Sequence, residues 1–337
     1  MHSALKLIKE QMMKKSNSLL LSLLCASLIV ACNGGTSSST STLSPAQQYA
    51  NAITTEINSL FSNSSGSEMN IAFAYNNPNA YIWYATSPSQ QQLVSFINNQ
   101  WSTEYSTSSA TFVPDSMTLS NNGTLYLGGA TGMTYNTPEI FSFANGALDN
   151  IAIPNNLQQQ GVINSIAIEN NNTLYAALES TILVLSNNSW STISPPSQLF
   201  VSKIVIDSNN SLYMLGSNNL LYKYVNNSWT QISTPAPASP PNNTYLTSVA
   251  FNHGTFYLLY NGGINGAIYG SPLAGLNEST PNNWSLLIES QLQGALFNGD
   301  VEADYYGNVY VDVGPDGSPD SVPFLDKYFL ALPAASN

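Results

Sequence analysis

The sequence predicts an all-β protein built of repeated four-stranded antiparallel meanders. Three observations carry that reading. The first is one stretch, residues 203–234, in which four short apolar runs alternate with polar turns. Ile204 and Ile206 mark its first strand, Leu212, Tyr213 and Leu215 its second, Leu220 to Val225 its third, and Trp229 and Ile232 its fourth. Asn209-Asn210 and Asn226-Asn227 separate runs, and Asn tolerates the positive φ that a tight hairpin needs. The second observation is recurrence. A polar turn, a small or polar residue, an apolar residue and Tyr repeat at Tyr126, Tyr175, Tyr213, Tyr257 and Tyr310, with a weaker copy at Tyr81, spaced 38 to 53 residues apart. The third is a Trp on the fourth strand, at Trp101, Trp190, Trp229 and Trp284. One meander cannot bury both of its faces, so it needs copies to stack against. Four strands at a period of about 40 to 50 residues predict a β-propeller, here of six blades over residues 63–337.

Ahead of the repeats, Lys14 and Lys15 precede a twelve-residue apolar run, Leu19 to Val30, which is short for a membrane span. It ends Leu28-Ile29-Val30-Ala31-Cys32. This segment resembles the bacterial lipoprotein signal, in which a small residue directly precedes a Cys; Ile29 stands where Leu is commonest. The resemblance implies a signal peptide over residues 1–31, cleavage before Cys32, and lipid attachment there. Several acyl chains on one residue give stable anchoring. Asn33 follows Cys32, which by the same resemblance implies the outer membrane of a two-membrane envelope. The mature chain keeps no other Cys, so no disulfide holds the fold. Residues 32–43 read as a flexible tether rich in Ser, Thr and Gly. Residues 44–62 read as an amphipathic helix, with Ser44 as cap, Pro45 at its first position and Tyr49, Ile53, Ile57, Leu60 and Phe61 on one face. That face is expected to pack on one end of the ring.

The blades fall at about 69–107, 116–153, 163–193, 202–234 and 246–289, with the last starting near Gly299. The second lacks the fourth-strand Trp, and the sixth shows only three strands. No donor strand precedes residue 69, so ring closure has no sequence signal. Leu221-Tyr222-Lys223-Tyr224-Val225-Asn226-Asn227-Ser228-Trp229-Thr230-Gln231-Ile232 resembles a tectonin repeat. Leu174-Tyr175 through Ser189-Trp190 resembles kelch, whose Gly pair is matched only at Gly128-Gly129. The resemblance covers two blades well. By analogy with tectonin-type propellers, it implies glycan binding. The recurring Tyr and Trp are expected in the core, and Trp229 to be largely buried between blades.

Composition excludes several functions. Lys and Arg total 7 against 19 Asp and Glu, and there is no Arg. Nucleic acid needs a basic face, which this chain cannot form. Without Arg no guanidinium clamp for a carboxylate can be built. Beyond the signal the only His is His253, in a turn with no nucleophile motif beside it. Carboxylates gather near the C-terminus. Asp300, Glu302 and Asp304 alternate and so should share one side of a strand; Asp316 and Asp320 alternate in a loop, with Asp312 close by. Such oxygen ligands would suit Ca²⁺, but the spacing departs from an EF-hand loop. The simpler reading is a wetted strand face, with no metal and no other cofactor. The sequence therefore predicts a membrane-anchored binding or scaffold module, for glycan or an envelope protein. The alternative is a metal-dependent propeller enzyme using those carboxylates. Where the copies differ, in loops 130–138, 234–245 and 270–281, is where a partner surface is expected.

Overall fold

The computed structural model describes residues 43–62, 69–87, 90–108, 111–131, 136–158, 161–170, 172–196, 199–235, 245–252, 254–261, 267–272, 284–289, 295–315 and 328–332. Of these, residues 61–62, 86–87, 261, 267–272, 285–299 and 311–332 are described by backbone alone. The signal segment with Cys32, the tether up to residue 42, His253, Asp316 and Asp320 lie outside the described residues, as do most of the three variable loops.

Among the described residues, twenty-three strands form six antiparallel sheets. The first sheet holds β1 (Met69–Phe73), β2 (Ala80–Ser87), β3 (Gln90–Ile97) and β4 (Gln100–Thr107). The second holds β5 (Phe112–Leu119), β6 (Leu125–Thr131), β7 (Thr137–Ala144) and β8 (Ala147–Asn150). The third holds β9 (Ile163–Ile168), β10 (Leu174–Leu178), β11 (Thr181–Ser186) and β12 (Ser189–Ile193). The fourth holds β13 (Val201–Ile206), β14 (Leu212–Gly216), β15 (Leu221–Val225) and β16 (Ser228–Gln231). The fifth holds β17 (Tyr245–Asn252), β18 (Thr255–Asn261), β19 (Ala267–Pro272) and β20 (Ser285–Glu289). The sixth has three strands, β21 (Ala295–Ala303), β22 (Val309–Pro315) and β23 (Tyr328–Leu332). Within each sheet the strands pair in chain order, and the inner strands β1, β5, β9, β13, β17 and β21 neighbour one another in that cyclic order, with β21 meeting β1. The ring is therefore closed.

Local chemistry explains the hairpins. In the first, third and fourth sheets the turn between third and fourth strands is an Asn pair with both residues at positive φ: Asn98-Asn99, Asn187-Asn188 and Asn226-Asn227. The second sheet uses Asn145-Gly146. These are the residues that a twist-matched two-residue hairpin requires. The turn between first and second strands is built differently. Asn209-Asn210 is not a paired-Asn hairpin, since only Asn210 has positive φ, at 61°. There Asp207 accepts the N–H groups of Asn209 and Ser211, each at 2.8 Å, and the hydroxyl of Tyr213 at 3.1 Å. Asp304 does the same for Tyr306 and Asn308, and it accepts the Tyr310 hydroxyl at 2.7 Å. Tyr175 donates to Glu169 at 2.6 Å. In these three blades the repeated Tyr is thus the lid on its own turn, six residues after the acid that anchors it.

The recurring Trp side chains do a second repeated job. Trp190 donates its indole N–H to the carbonyl of Ala152, Trp229 to Ser194 and Trp284 to Ser233, at 3.1, 2.8 and 3.1 Å. Each acceptor lies just past the fourth strand of the preceding blade. Trp229 is half-buried rather than enclosed, because its ring clasps the outside of the ring against Tyr224. This departs from the largely buried position expected from its recurrence: the polar N–H keeps it at the rim, where the Ser194 carbonyl is in reach.

The helix α1 runs Pro45–Ser62. Ser44 and Gln47 cap each other reciprocally, the Gln47 N–H reaching Ser44 Oγ at 3.2 Å and the Ser44 N–H reaching Gln47 Oε1 at 3.0 Å. It does not pack on an end of the ring as expected. It lies beside β23, and Tyr49, Ile53 and Ile57 join Tyr310 of the sixth sheet and Ile71, Ile82 and Phe96 of the first in one core cluster. The helix fills the seam that a fourth strand and its residues fill elsewhere. Its stripe has helical and not strand periodicity, so it carries no sign of a closing strand.

Candidate functional site

Each of the inner strands β5, β9, β13 and β17 carries a β-bulge near its start, at Asp115, Asn164, Ser202 and Thr247, and β21 is irregular between Phe297 and Val301. The bulge re-aims the next residue, so Ser116, Ser165, Lys203, Ser248 and Asp300 occupy equivalent places in blades two to six. Three of the serines serve one purpose. Ser116, Ser165 and Ser248 accept the backbone N–H of Ile166, Ile204 and Val301 in the following blade, at 3.1, 3.0 and 3.2 Å. They tie neighbouring inner strands together.

Lys203 breaks this pattern. It is 8% exposed and reaches from the fourth blade across the fifth to the sixth. Its Nζ lies 2.7 Å from Glu302 Oε1 and 3.2 Å from Asp300 Oδ2. Ser248, in the blade between, donates to Asp300 Oδ1 at 2.9 Å. Ala250 at the next inward place in that blade leaves room for the crossing. Burial disfavours the Lys203 charge, but the two carboxylates outweigh it and hold the ammonium above its ordinary pKa. Burial is also the main influence on Glu302. It raises this carboxyl above the usual range, Lys203 opposes it and Asp300 adds to it. The triad sets one ammonium against two carboxyl groups.

Above the triad the channel opens into a cavity of about 130 Å³ that touches all six blades. Its shaft is lined by Ala72, Thr118, Ala167, Val205 and Ala250, with Glu302 as the sixth member. Its lip is formed by the turns between first and second strands. Tyr75 and Phe251 lie on one side with their rings nearly parallel, 16° apart at a centroid distance of 6.3 Å. Asn121 and Asn170 lie on the other; the first donates to the second, and the Asn170 N–H donates to Asn210.

The structure brings Asp300 and Glu302 together on Lys203 and separates Asp304 from them. Asp304 falls past the end of β21, in the turn, where both of its oxygens are taken by Tyr306, Asn308 and Tyr310. Strict alternation put all three on one side, but the strand ends before the third is reached. Asp312 lies on β22, with only its backbone described. Among the described residues no group of His, Cys, Asp and Glu is arranged to hold a metal ion. Sequence reasoning missed Lys203. The available signal was a cation inside the apolar run Val201-Ser202-Lys203-Ile204-Val205-Ile206, in a domain with only two other Lys.

No family model and no curated protein sequence matches the chain. Among solved structures it is similar to AofleA from Arthrobotrys oligospora, at 9% identity and TM-score 0.50 over 80% of this chain and 87% of that one. It is also similar to YCF48 bound to D1 peptide, at 12% identity and TM-score 0.46 over 77% of each chain. A further match is the extracellular domain of the putative hybrid two-component system BT4673 from B. thetaiotaomicron, at 12% identity and TM-score 0.47, covering 81% of this chain and 34% of that one. At these identities the likeness concerns the fold alone. The six sheets, their cyclic order and the AofleA match agree that the chain is a six-bladed β-propeller.

Proposed function

We propose that this protein is a lipid-anchored component of a bacterial cell envelope whose propeller is a binding or scaffold module, working through the turn-end mouth of its channel. One observation carries the reading: the cavity touches every blade, and its ionisable groups are committed to one another or to the turns. Lys203 is held by two carboxylates, Asp207 by its turn and Glu169 by Tyr175. Such a site offers shape and hydrogen bonds, not an activated nucleophile or a poised base. The tectonin-like and kelch-like repeats support a binding role by analogy only. The lipobox-like run ending at Cys32 and the Asn after it support an anchor in the outer membrane. The described residues contain no helix long and apolar enough to cross a membrane.

Two measurements test the two halves. Mass spectrometry of the mature N-terminus should show an acylated Cys32, and Cys32→Ser should release the protein or leave it unprocessed; an unmodified Cys32 removes the anchor. For the mouth, a photo-crosslinking residue at position 121 or 170 should give a discrete adduct in the living envelope, whereas one at position 228, on the ring exterior, should give none. Adducts only at the exterior would move the working face to the variable loops.

A further inference from the structure

We propose that the entry end of the ring, where the inner strands begin, docks a partner protein through a short segment that sets Arg or Lys beside apolar residues. This surface is opposite the turn-end mouth and goes beyond it. An apolar row, an unpaired carboxylate and a strained turn converge there.

Two residues before the bulge of each inner strand, blades two to five carry an apolar side chain: Val113, Val162, Phe200 and Tyr245. Because the bulges are equivalent, so are these four places. Phe200 is 57% exposed and Tyr245 47%. Among the described residues the only other large hydrophobic so exposed is Leu43, ahead of α1. One exposed aromatic needs no explanation, but two at the same place in adjacent blades, with Val at that place in the two blades before, make a repeated apolar surface.

Glu179 gives this surface its charge. It lies in the turn between β10 and β11, and its carbonyl accepts the Val201 N–H at 2.8 Å, which sets it beside Phe200. On the other side, its Oε1 would stand 3.0 Å from a Cβ added at Gly161, the neighbour of Val162. The residue is exposed, and among the described residues nothing pairs with its carboxylate. Its backbone is out of the ordinary for this chain. Eleven described non-glycine residues have positive φ; ten are Asn, and the other is Glu179, at 49°. An Asn would adopt that conformation at lower cost, so the fold alone does not account for a carboxylate there.

The charge balance names the partner's chemistry. The described residues hold no Arg and two Lys. Lys203 is committed to Asp300 and Glu302, and Lys223 lies over the Tyr213 ring at 5.5 Å. The charges that face out at the entry end are therefore acidic, with Asp115 exposed beside Val113 as well. A guanidinium donates in a fork to one carboxylate and stacks its flat face on an aromatic ring. Arg followed by an apolar residue thus meets Glu179 and Phe200 together. A second copy of this chain has no Arg to offer.

The test uses the mature full-length protein in detergent and labelled peptides that alternate Arg with Leu, Arg with Phe or Lys with Leu. Two control sets replace the cation by Glu or the apolar residue by Ser. Fluorescence anisotropy should show at least one basic-apolar peptide binding roughly tenfold or more tighter than its controls, and weakening as salt is raised. Phe200→Ser, Glu179→Gln and Glu179→Asn should each weaken that binding by about tenfold, and Ser228→Ala, on the ring exterior, should not change it. Thermal melts supply the second reading. Glu179→Asn should raise the melting temperature while it removes binding, and Glu179→Gln, which keeps an unfavourable φ, should not raise it. A melting temperature lowered by Glu179→Asn would show that the Glu serves the fold, and overturns the site. So does binding that survives Phe200→Ser and Glu179→Gln, binding of the Glu-bearing controls to the same extent, or no binding by any basic-apolar peptide. A concentration-dependent dimer in ultracentrifugation that Phe200→Ser abolishes would assign the face to a second copy and overturn the basic partner. Crosslinking at position 121 or 170 reports on the turn-end mouth separately, so the two readings fail independently.

Discussion

Two seams of the ring are sealed by different means. Between the fourth and fifth blades, strand meets strand: Tyr213, Leu215, Leu221 and Ile232 pack on Leu246, Val249, Phe256 and Leu258, and Trp284 clasps Ser233 across the rim. Between the sixth and first blades, the sixth sheet has three strands among the described residues, and α1 brings Tyr49, Ile53 and Ile57 to meet Ile71, Ile82, Val94 and Phe96. Trp101, the Trp of the first blade, packs on Phe96 there, with centroids 5.0 Å apart. An interface of this kind asks only for apolar volume at the right place. A helix N-terminal to the repeats can supply it as well as a strand, and that frees the chain from sharing a blade between its two ends.

If α1 is the fourth layer of the closing seam, removing its central contact should cost as much as a core deletion in any blade. Ile53 is fully buried. Ile53→Ala should destabilise the protein by about 2–5 kcal/mol in chemical denaturation. A loss under about 0.5 kcal/mol would mean the helix is an accessory, and the ring closes without it.

The rim clasps should matter less. Trp229 is half-buried and donates one hydrogen bond to Ser194, so Trp229→Ala should cost about 2 kcal/mol, below the ~3–5 kcal/mol of an enclosed indole. Trp229→Phe keeps the ring and loses the N–H, and should recover about half of that. If the Phe variant is no better than Ala, the hydrogen bond and not the packing holds the blades.

The pH dependence compares the channel with the sixth-blade turn. Glu302 and Asp304 both titrate above the ordinary carboxyl range, chiefly because burial penalises their charged forms. A carboxyl whose folded pKa is raised stabilises the fold most below its unfolded pKa of about 4, and this contribution is lost as pH rises through the folded value. Lowering the pH from 7 towards 5 should therefore raise the melting temperature, modestly, since the Glu302 side chain is still 29% exposed. The formal net charge of −12 for the whole sequence acts in the same direction. Glu302→Gln should flatten the profile. A melting temperature that falls steadily over this range would mean that the Lys203 pairing, which favours the charged carboxylate, outweighs burial. At the alkaline end the sign for Lys203 is plain: its raised pKa adds stability that is complete below about pH 10 and lost above it.

The repeat architecture was readable in the sequence because its signals are local. An Asn pair, a Tyr after a polar turn and a Trp on the fourth strand each act within one blade or on the one before it. The closing seam was not readable, because α1 meets residues far along the chain through nothing more specific than apolar volume. The channel was half-readable. Asp300 and Glu302 stood out as alternating carboxylates, but their partner lies 99 residues from Glu302, in another blade. The bulges that bring Lys203, Ser248 and Asp300 to one level leave no mark in the sequence. A bulge is set by the pairing partner and the neighbouring blade, not by residue type alone.

The smallest effect expected is that of Ca²⁺, and it separates two readings of the same carboxylates. A cation that binds the native state and not the unfolded one raises the melting temperature according to its concentration over its dissociation constant. To bind at Asp300 and Glu302 it would have to displace Lys203, whose ammonium already sits at 2.7 and 3.2 Å from them. To bind at Asp304 it would have to break the bonds to Asn308 and Tyr310 that hold the turn. Replacing a chelator by millimolar Ca²⁺ should therefore change the melting temperature by less than about one degree. A rise of several degrees that persists in Asp304→Asn and Glu302→Gln but is lost in Asp316→Asn would place a metal in the segment with Asp312, Asp316 and Asp320, apart from the channel. A rise lost in Glu302→Gln would mean that the ion competes with Lys203. The channel would then be a metal site that the ammonium occupies only in the ion's absence.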